Sequence, residues 1–192
     1  MKFIDFQYFW QMKILQIFLF LLALQSCSDK KTEAAFEVAM TENPQTDIKD
    51  FNSKKVTSLN FEELEEKYLQ KNNDSIYVIN FWATWCKPCI KELPAFEKIA
   101  AHYSDKKVKL LLVSLDFPEK LESQVIPFIQ KNNIQSEVVL LDDADANSWI
   151  PKVSPQWSGA IPATVIYNQN TRKFFEQSFT FEELETELKT FL

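Results

Sequence analysis

The stretch Tyr77-Val78-Ile79-Asn80-Phe81-Trp82-Ala83-Thr84-Trp85-Cys86-Lys87-Pro88-Cys89 decides the reading of the chain. A β-branched and aromatic run ends in a Cys-x-x-Cys, and a helical pattern follows at once. Two cysteines can be bridged when their Cα atoms lie roughly 4.4–6.8 Å apart, and positions i and i+3 in a first helical turn provide that separation. A helix starting at these cysteines aims its unpaired N–H groups and positive dipole end at Cys86, which favours a thiolate there. Pro88 agrees, because proline is tolerated in the first turn, where its missing N–H costs nothing. The stretch reads as a redox centre.

The helix behind the cysteines has a definite wheel. At about 100° per residue from Cys89, Leu93, Phe96, Ala100 and Tyr103 fall on the sulfur side, and Lys87, Lys91 and Lys98 fall opposite. Glu92 breaks the pattern, lying on the apolar side between Phe96 and Ile99. A carboxylate there is costly without a partner or a task. Desolvation would raise its pKa and hold a proton beside the sulfurs near neutral pH, unless Pro94 kinks the helix and turns Glu92 toward water.

The remainder of the composition narrows the function. The 192 residues are 46% hydrophobic, enough for one domain with extensions, and a net charge of −6 leaves no basic footprint for nucleic acid. A single glycine excludes phosphate-cradling glycine loops, so turns fall to Asn72-Asn73, Asn132-Asn133 and Asn168-Gln169-Asn170. Asp143-Ala144-Asp145-Ala146-Asn147 fails as a calcium loop, since the positions that need Gly and Glu hold Ser148 and Ser154; it reads as an acidic cap before a short helix.

Residues 1–26 read as a secretory signal, with an apolar core from Ile14 to Leu24 that is short for a membrane span; Met12-Lys13 offers an alternative start. Leu24, Ser26 and Cys27 resemble a bacterial lipobox, with Gln25 off-pattern, so Cys27 is the expected lipidation site. An uncleaved N-terminal anchor is the alternative. Residues 27–55 are polar, mixed in charge and aperiodic, as suits a lipid-anchored flexible tether, and 56–192 form the folded domain. The expected location is therefore outside the cytosol, as a membrane-anchored lipoprotein facing the periplasm. There a lone Cys86/Cys89 pair is either a structural bridge or a redox catalyst, and so short a loop gives a structural bridge little to stabilise.

Within the domain, strands are expected at 56–59, 76–82, 108–115, 137–141, 163–167 and 173–179. Helices are expected at 61–71 (capped by Asn60 with Glu63), from the cysteines to about Tyr103, 118–131 with a kink at Pro127, 144–150, and 181–191 (capped by Thr180 with Glu183). This order predicts an α/β fold: a mixed, largely parallel sheet with an antiparallel hairpin at its edge and helices on both faces.

Phe81-Trp82-Ala83-Thr84-Trp85-Cys86-Lys87-Pro88-Cys89, with Ile161-Pro162-Ala163-Thr164, resembles the thioredoxin superfamily, in particular its TlpA/ResA-like branch of extracytoplasmic thiol-disulfide oxidoreductases. The resemblance covers roughly residues 56–192. It implies a thioredoxin fold with an inserted helix-strand unit at 118–141, and Cys86 as exposed nucleophile with Cys89 as buried resolving cysteine. It further implies a cis-Pro162 facing the disulfide, with the Ile161 backbone pairing to a substrate peptide. Glu92 falls where this branch is similar in carrying an acidic residue. Asn80 departs from ordinary thioredoxins, which have a buried Asp there, and leaves Glu92 to carry the proton.

The implied activity is disulfide reduction on exported proteins by a monomer. It needs no cofactor beyond the Cys86–Cys89 disulfide and no metal, and is recharged by an upstream membrane dithiol donor. Lys87 and Pro88 would tune the couple, Trp85 would shape an apolar docking rim, and Trp82 would either join that rim or pack in the core. Two rivals remain: a thiol peroxidase, for which Arg172 is the only arginine, and a copper-binding chaperone, for which His102 is the only histidine.

Overall fold

The computed structural model describes residues 56–192; the expected signal, Cys27 and the tether lie outside the described residues. Six strands form one sheet in the order β1-β4-β3-β2-β5-β6: β1 (Thr57–Leu59), β2 (Ile76–Trp82), β3 (Val108–Ser114), β4 (Glu137–Leu141), β5 (Ala163–Tyr167) and β6 (Arg172–Phe175). The first four run parallel to one another, while β5 is antiparallel to both β2 and β6. The edge hairpin turns through Asn168, whose side chain accepts the N–H groups of Asn170 and Thr171.

Because side chains alternate across a strand, each central strand feeds two cores. From β2, Val78 and Trp82 enter one core while Ile79 and Phe81 enter the other. The first is closed by Leu93, Phe96 and Ile99 of α2 (Lys87–His102), Val125 and Ile129 around α3 (Ile126–Lys131), and Leu184 and Leu188 of α5 (Phe181–Lys189). The second is closed by Phe61 and Leu64 of α1 (Phe61–Leu64) with Trp149 and Val153 of α4 (Ala146–Val153). Helices thus cover both faces, as expected. No helix among the described residues is long and apolar enough to cross a membrane.

The capping boxes at Asn60/Glu63 and Thr180/Glu183 both form. Other elements depart from expectation for identifiable reasons. The helix at 61–71 is α-helical only to Leu64 and continues as a π-turn over Glu65–Leu69. The segment 118–131 is a 3-10 turn (Pro118–Lys120), a π-turn (Leu121–Val125) and then α3, because Pro127 lacks an N–H and is accommodated in the first turn of a new helix. Helix α4 starts at Ala146 and runs through Pro151 to Val153. Asp145 makes no side-chain cap; Asp143 instead accepts the N–H groups of Asp145 and of Phe61, tying this loop to the start of α1. The last helix ends at Lys189, and the strand expected at 173–179 ends at Phe175.

Candidate active site

Strand β2 and helix α2 meet at the cysteines. Cys86 and Cys89 are joined in a disulfide with Cα atoms 5.3 Å apart. Cys86 is the N-cap of the sixteen-residue α2, and its Sγ accepts the Cys89 N–H at 3.3 Å. The sulfur thus occupies the position where a helix N-terminus presents an unpaired donor and positive partial charge. Cys86 is not openly exposed: it retains 5% of its accessible surface and Cys89 none. The Ile161 carbonyl, 3.8 Å from Cys86 Sγ, contributes to that cover. Both cysteines are therefore buried, and the outer sulfur, expected to be exposed, is recessed instead. Lys87 and Pro88 are exposed in the first turn, and Lys87 makes no ion pair among the described residues.

Helix α2 runs unbroken through Pro94, so no kink turns Glu92 outward. Glu92 is 2% exposed, and burial pushes its pKa up to about 7 against the opposing pull of hydrogen bonds from Phe179, Asn80 and Ser178. Its Oε2 accepts the Phe179 N–H at 2.8 Å, and its Oε1 accepts Asn80 Nδ2 at 2.8 Å. Asn80 also donates to Thr164 Oγ1 at 3.1 Å and leaves its own Oδ1 without a partner. A carboxyl poised near neutral pH therefore sits one helical turn beyond Cys89.

The Phe179 contact explains the short β6. After Phe175 the chain leaves the sheet and ties three parts of the site. Glu176 accepts the N–H groups of Ser158 and Ala160, Ser178 Oγ donates to the Pro88 carbonyl, and the Phe179 backbone reaches Glu92. A continued strand would carry these groups past the site.

The Ile161–Pro162 peptide bond is cis. The loop before it is fixed from both sides. Ala160 gives its N–H to Glu176, and its carbonyl accepts Trp157 Nε1 at 2.7 Å. Trp157 is in turn buried among Phe81, Trp149 and Phe174. The single glycine of the chain, Gly159, stands in this loop with φ +93°, and an added Cβ would come within 3.2 Å of Ile150 Cδ1. Sequence reasoning passed over Trp157, Gly159 and Glu176. The isolated Gly two residues before Ile161-Pro162 was the available signal.

Also unforeseen is Asp116, 2% exposed just beyond β3. Its Oδ2 accepts the Thr84 N–H and the Ser114 hydroxyl, each at 2.9 Å, and its Oδ1 accepts the Thr84 hydroxyl at 2.5 Å. The carboxylate thereby anchors the turn that leads into Cys86, whose N–H bonds back to Ala83. Of the two tryptophans considered for the rim, Trp85 is 62% exposed. Trp82 is fully buried against Phe128 with its Nε1 unpartnered, so it belongs to the core. Inward-facing positions of a central strand leave it no other place.

A family model described as the AhpC/TSA family matches residues 36–172, more than half of the sequence. The chain belongs to that family. It is similar to the thioredoxin-like protein YneN of Bacillus subtilis (37% identical over 76 residues, 40% of this chain and 44% of that protein). It is also similar to the thiol-disulfide oxidoreductase ResA of Oceanobacillus iheyensis (45% over 49 residues, 26% of each) and to sporulation thiol-disulfide oxidoreductase A of B. subtilis (36% over 63 residues, 33% of this chain and 38% of that protein). The matches span less than half the length of each of these relatives. Among solved structures, a thioredoxin-related protein from Neisseria meningitidis serogroup B aligns with a TM-score of 0.55 at 22% identity, over 65% of this chain and 90% of that one. A DsbF homologue from Corynebacterium diphtheriae aligns at 0.51 and 18%, over 66% and 75%. These two likenesses establish the thioredoxin-type fold.

The two rival readings find little in the family member's geometry. Arg172 pairs in register with Tyr167, and through it with Tyr77, at the far end of β2 from Cys86. Its guanidinium donates to the Leu69 and Val153 carbonyls. His102 ends α2, about 24 Å along the helix from Cys86.

Proposed function

We propose that the chain is an exported, membrane-tethered thiol-disulfide oxidoreductase that reduces disulfides in exported proteins. The observation that carries the reading is the Cys86–Cys89 disulfide at the start of α2, with the Cys86 sulfur at the helix N-terminus and the buried carboxyl of Glu92 one turn beyond Cys89. The similarity to relatives named thiol-disulfide oxidoreductases supports it.

The cycle starts from the dithiol. The Cys86 thiolate attacks one sulfur of a substrate disulfide; a Cys86–substrate disulfide forms, and the other substrate sulfur leaves as a thiolate that takes a proton from water. Glu92, ionised, accepts the Cys89 thiol proton. The Cys89 thiolate then attacks Cys86 Sγ, forming the Cys86–Cys89 disulfide and expelling the second substrate sulfur, which takes its proton from Glu92. Two electrons and two protons pass to the substrate. The fully covered Cys89 is suited only to the second, internal attack. The exposed Lys87 favours the thiolate electrostatically, Pro88 shapes the turn, and Ile161 and Pro162 with Trp85 receive the substrate chain. A dithiol donor at the membrane restores the pair, and Cys27 carries the lipid that keeps the monomer there.

The test is trapping. Cys89→Ser should hold disulfide-bearing proteins as stable mixed disulfides through Cys86, released by dithiothreitol, and Cys86→Ser should trap none. Equal trapping by both variants would sink the assignment of roles.

A further inference from the structure

Trp85 and Phe117 are 62% and 67% exposed, and with Leu192 they are the large apolar side chains left open among the described residues. Their placement is not that of loose loop tips. Strands β2 and β3 end side by side, with Trp82 opposite Ser114 and the Leu115 N–H bonded to the Trp82 carbonyl at 2.8 Å. One step further, Asp116 holds Thr84 through the latter's N–H and hydroxyl. Trp85 and Phe117 are the next residue on each side of this clasp, so both follow directly from backbones fixed at the C-terminal ends of two adjacent central strands. Burying a carboxylate among neutral donors is costly, and what it secures is the position of these two loops.

Beside Trp85 runs an open groove of about 380 Å³, lined by Thr84, Trp85, Gln124, Pro127, Phe128 and Lys131. Its walls carry one ionised side chain, a lysine, in a chain whose net charge is −6. The redox sulfur next to these strand ends is recessed, at 5% exposure. A flat folded surface cannot bring a sulfur into such a recess; an extended segment can.

We propose that Trp85 and Phe117 form an aromatic docking rim, continued by the Lys131 groove. Its occupant is an extended polypeptide with an apolar residue beside its cysteine and a carboxylate a few residues away. The inference rests on the disulfide-exchange reading and specifies its substrate. Rigid aromatic side chains supply contact area at low entropic cost, and the groove lysine selects charge.

The test uses the full-length protein with dithiothreitol as reductant and three probes: oxidised glutathione, a disulfide-linked peptide with Phe next to Cys and Asp three residues on, and the same peptide with Ser and Lys at those positions. Phe117→Ser should raise KM for the Phe/Asp peptide about 5- to 10-fold with kcat unchanged, while reduction of glutathione disulfide keeps its wild-type rate. Lys131→Glu should raise KM for the Phe/Asp peptide and lower it for the Ser/Lys peptide. An unchanged KM in both variants overturns the rim alone, as does an equal loss on all three probes, which would mark a structural effect. A wild-type protein that reduces none of the probes overturns the parent reading and the rim together.

Discussion

Asn80 Nδ2 donates to Glu92 Oε1 at 2.8 Å in a pocket that leaves Asn80 fully buried and Glu92 2% exposed. The amide fits both protonation states of its partner. As placed, its NH₂ serves an ionised Glu92 and Thr164 Oγ1 while Oδ1 goes unpaired. Rotated by half a turn, Oδ1 could accept from a protonated Glu92 and from the Thr164 hydroxyl. An aspartate at position 80 would offer acceptors only, beside a second carboxyl.

This pocket ties stability to pH. The folded protein holds the Glu92 proton up to about pH 7, above the ordinary value of 4.5, so the folded state binds the proton more tightly than the unfolded chain. The contribution is fully present below about pH 4.5 and is lost as pH rises through about 7, amounting to about 3 kcal/mol. Glu92→Gln keeps the Phe179 hydrogen bond and can pair its amide with a rotated Asn80. Urea titrations should show the variant gaining on wild type by about 3 kcal/mol between pH 4.5 and pH 8. A difference that does not change with pH would contradict the assignment.

The same carboxyl should govern the resolving step. With ionised Glu92 as proton acceptor, the rate of mixed-disulfide resolution rises as pH passes about 7. In Glu92→Gln that inflection should disappear and the rate at pH 7.5 should fall roughly 10²-fold, read by rapid-mixing kinetics with a preformed mixed disulfide.

Asp116 should prove structural and expensive to remove. Asp116→Ala leaves the Thr84 N–H and hydroxyl and the Ser114 hydroxyl without their acceptor, and should cost about 3 kcal/mol in urea unfolding. Asp116→Asn, which retains one acceptor oxygen, should cost less. Equal stability of all three proteins would show the clasp to be incidental.

Gly159→Ala adds a Cβ at φ +93° and brings it within 3.2 Å of Ile150 Cδ1, so it should destabilise by about 1–2 kcal/mol. Because Gly159 sits in the loop that ends at Ile161, the variant should also show a raised KM for peptide disulfides, with the thiol–disulfide equilibrium of the protein itself unchanged. A shift in that equilibrium without a KM effect would contradict this placement.

Much of this was legible from local pattern. The apolar β2, the helix opening at Cys86 and the out-of-pattern Glu92 each announce themselves within a few residues, and the alternation of strands and helices points to the largely parallel sheet with its antiparallel edge hairpin, though not to the strand order. What was not legible depends on distant partners. Trp82 reads equally as rim or core until its ring is placed against Phe128 on the covered face of β2. Phe179 reads as strand until Glu92, far away in the chain, claims its N–H. Asp116 looks like any loop aspartate until Thr84 is placed beside it. Periodicity carries no information about such pairings. The expectations for residues 1–55, Cys27 included, rest on sequence alone.

The most direct test of the central claim is a redox titration of the full-length protein against thiol–disulfide buffers, following the free thiols of Cys86 and Cys89. The account predicts one reversible two-electron couple in which both thiols disappear together, with a potential nearer the thioredoxin value of about −270 mV than the strongly oxidising value of about −120 mV. A couple near −120 mV would reverse the proposed direction of electron flow. Absence of any reversible couple would contradict the account itself.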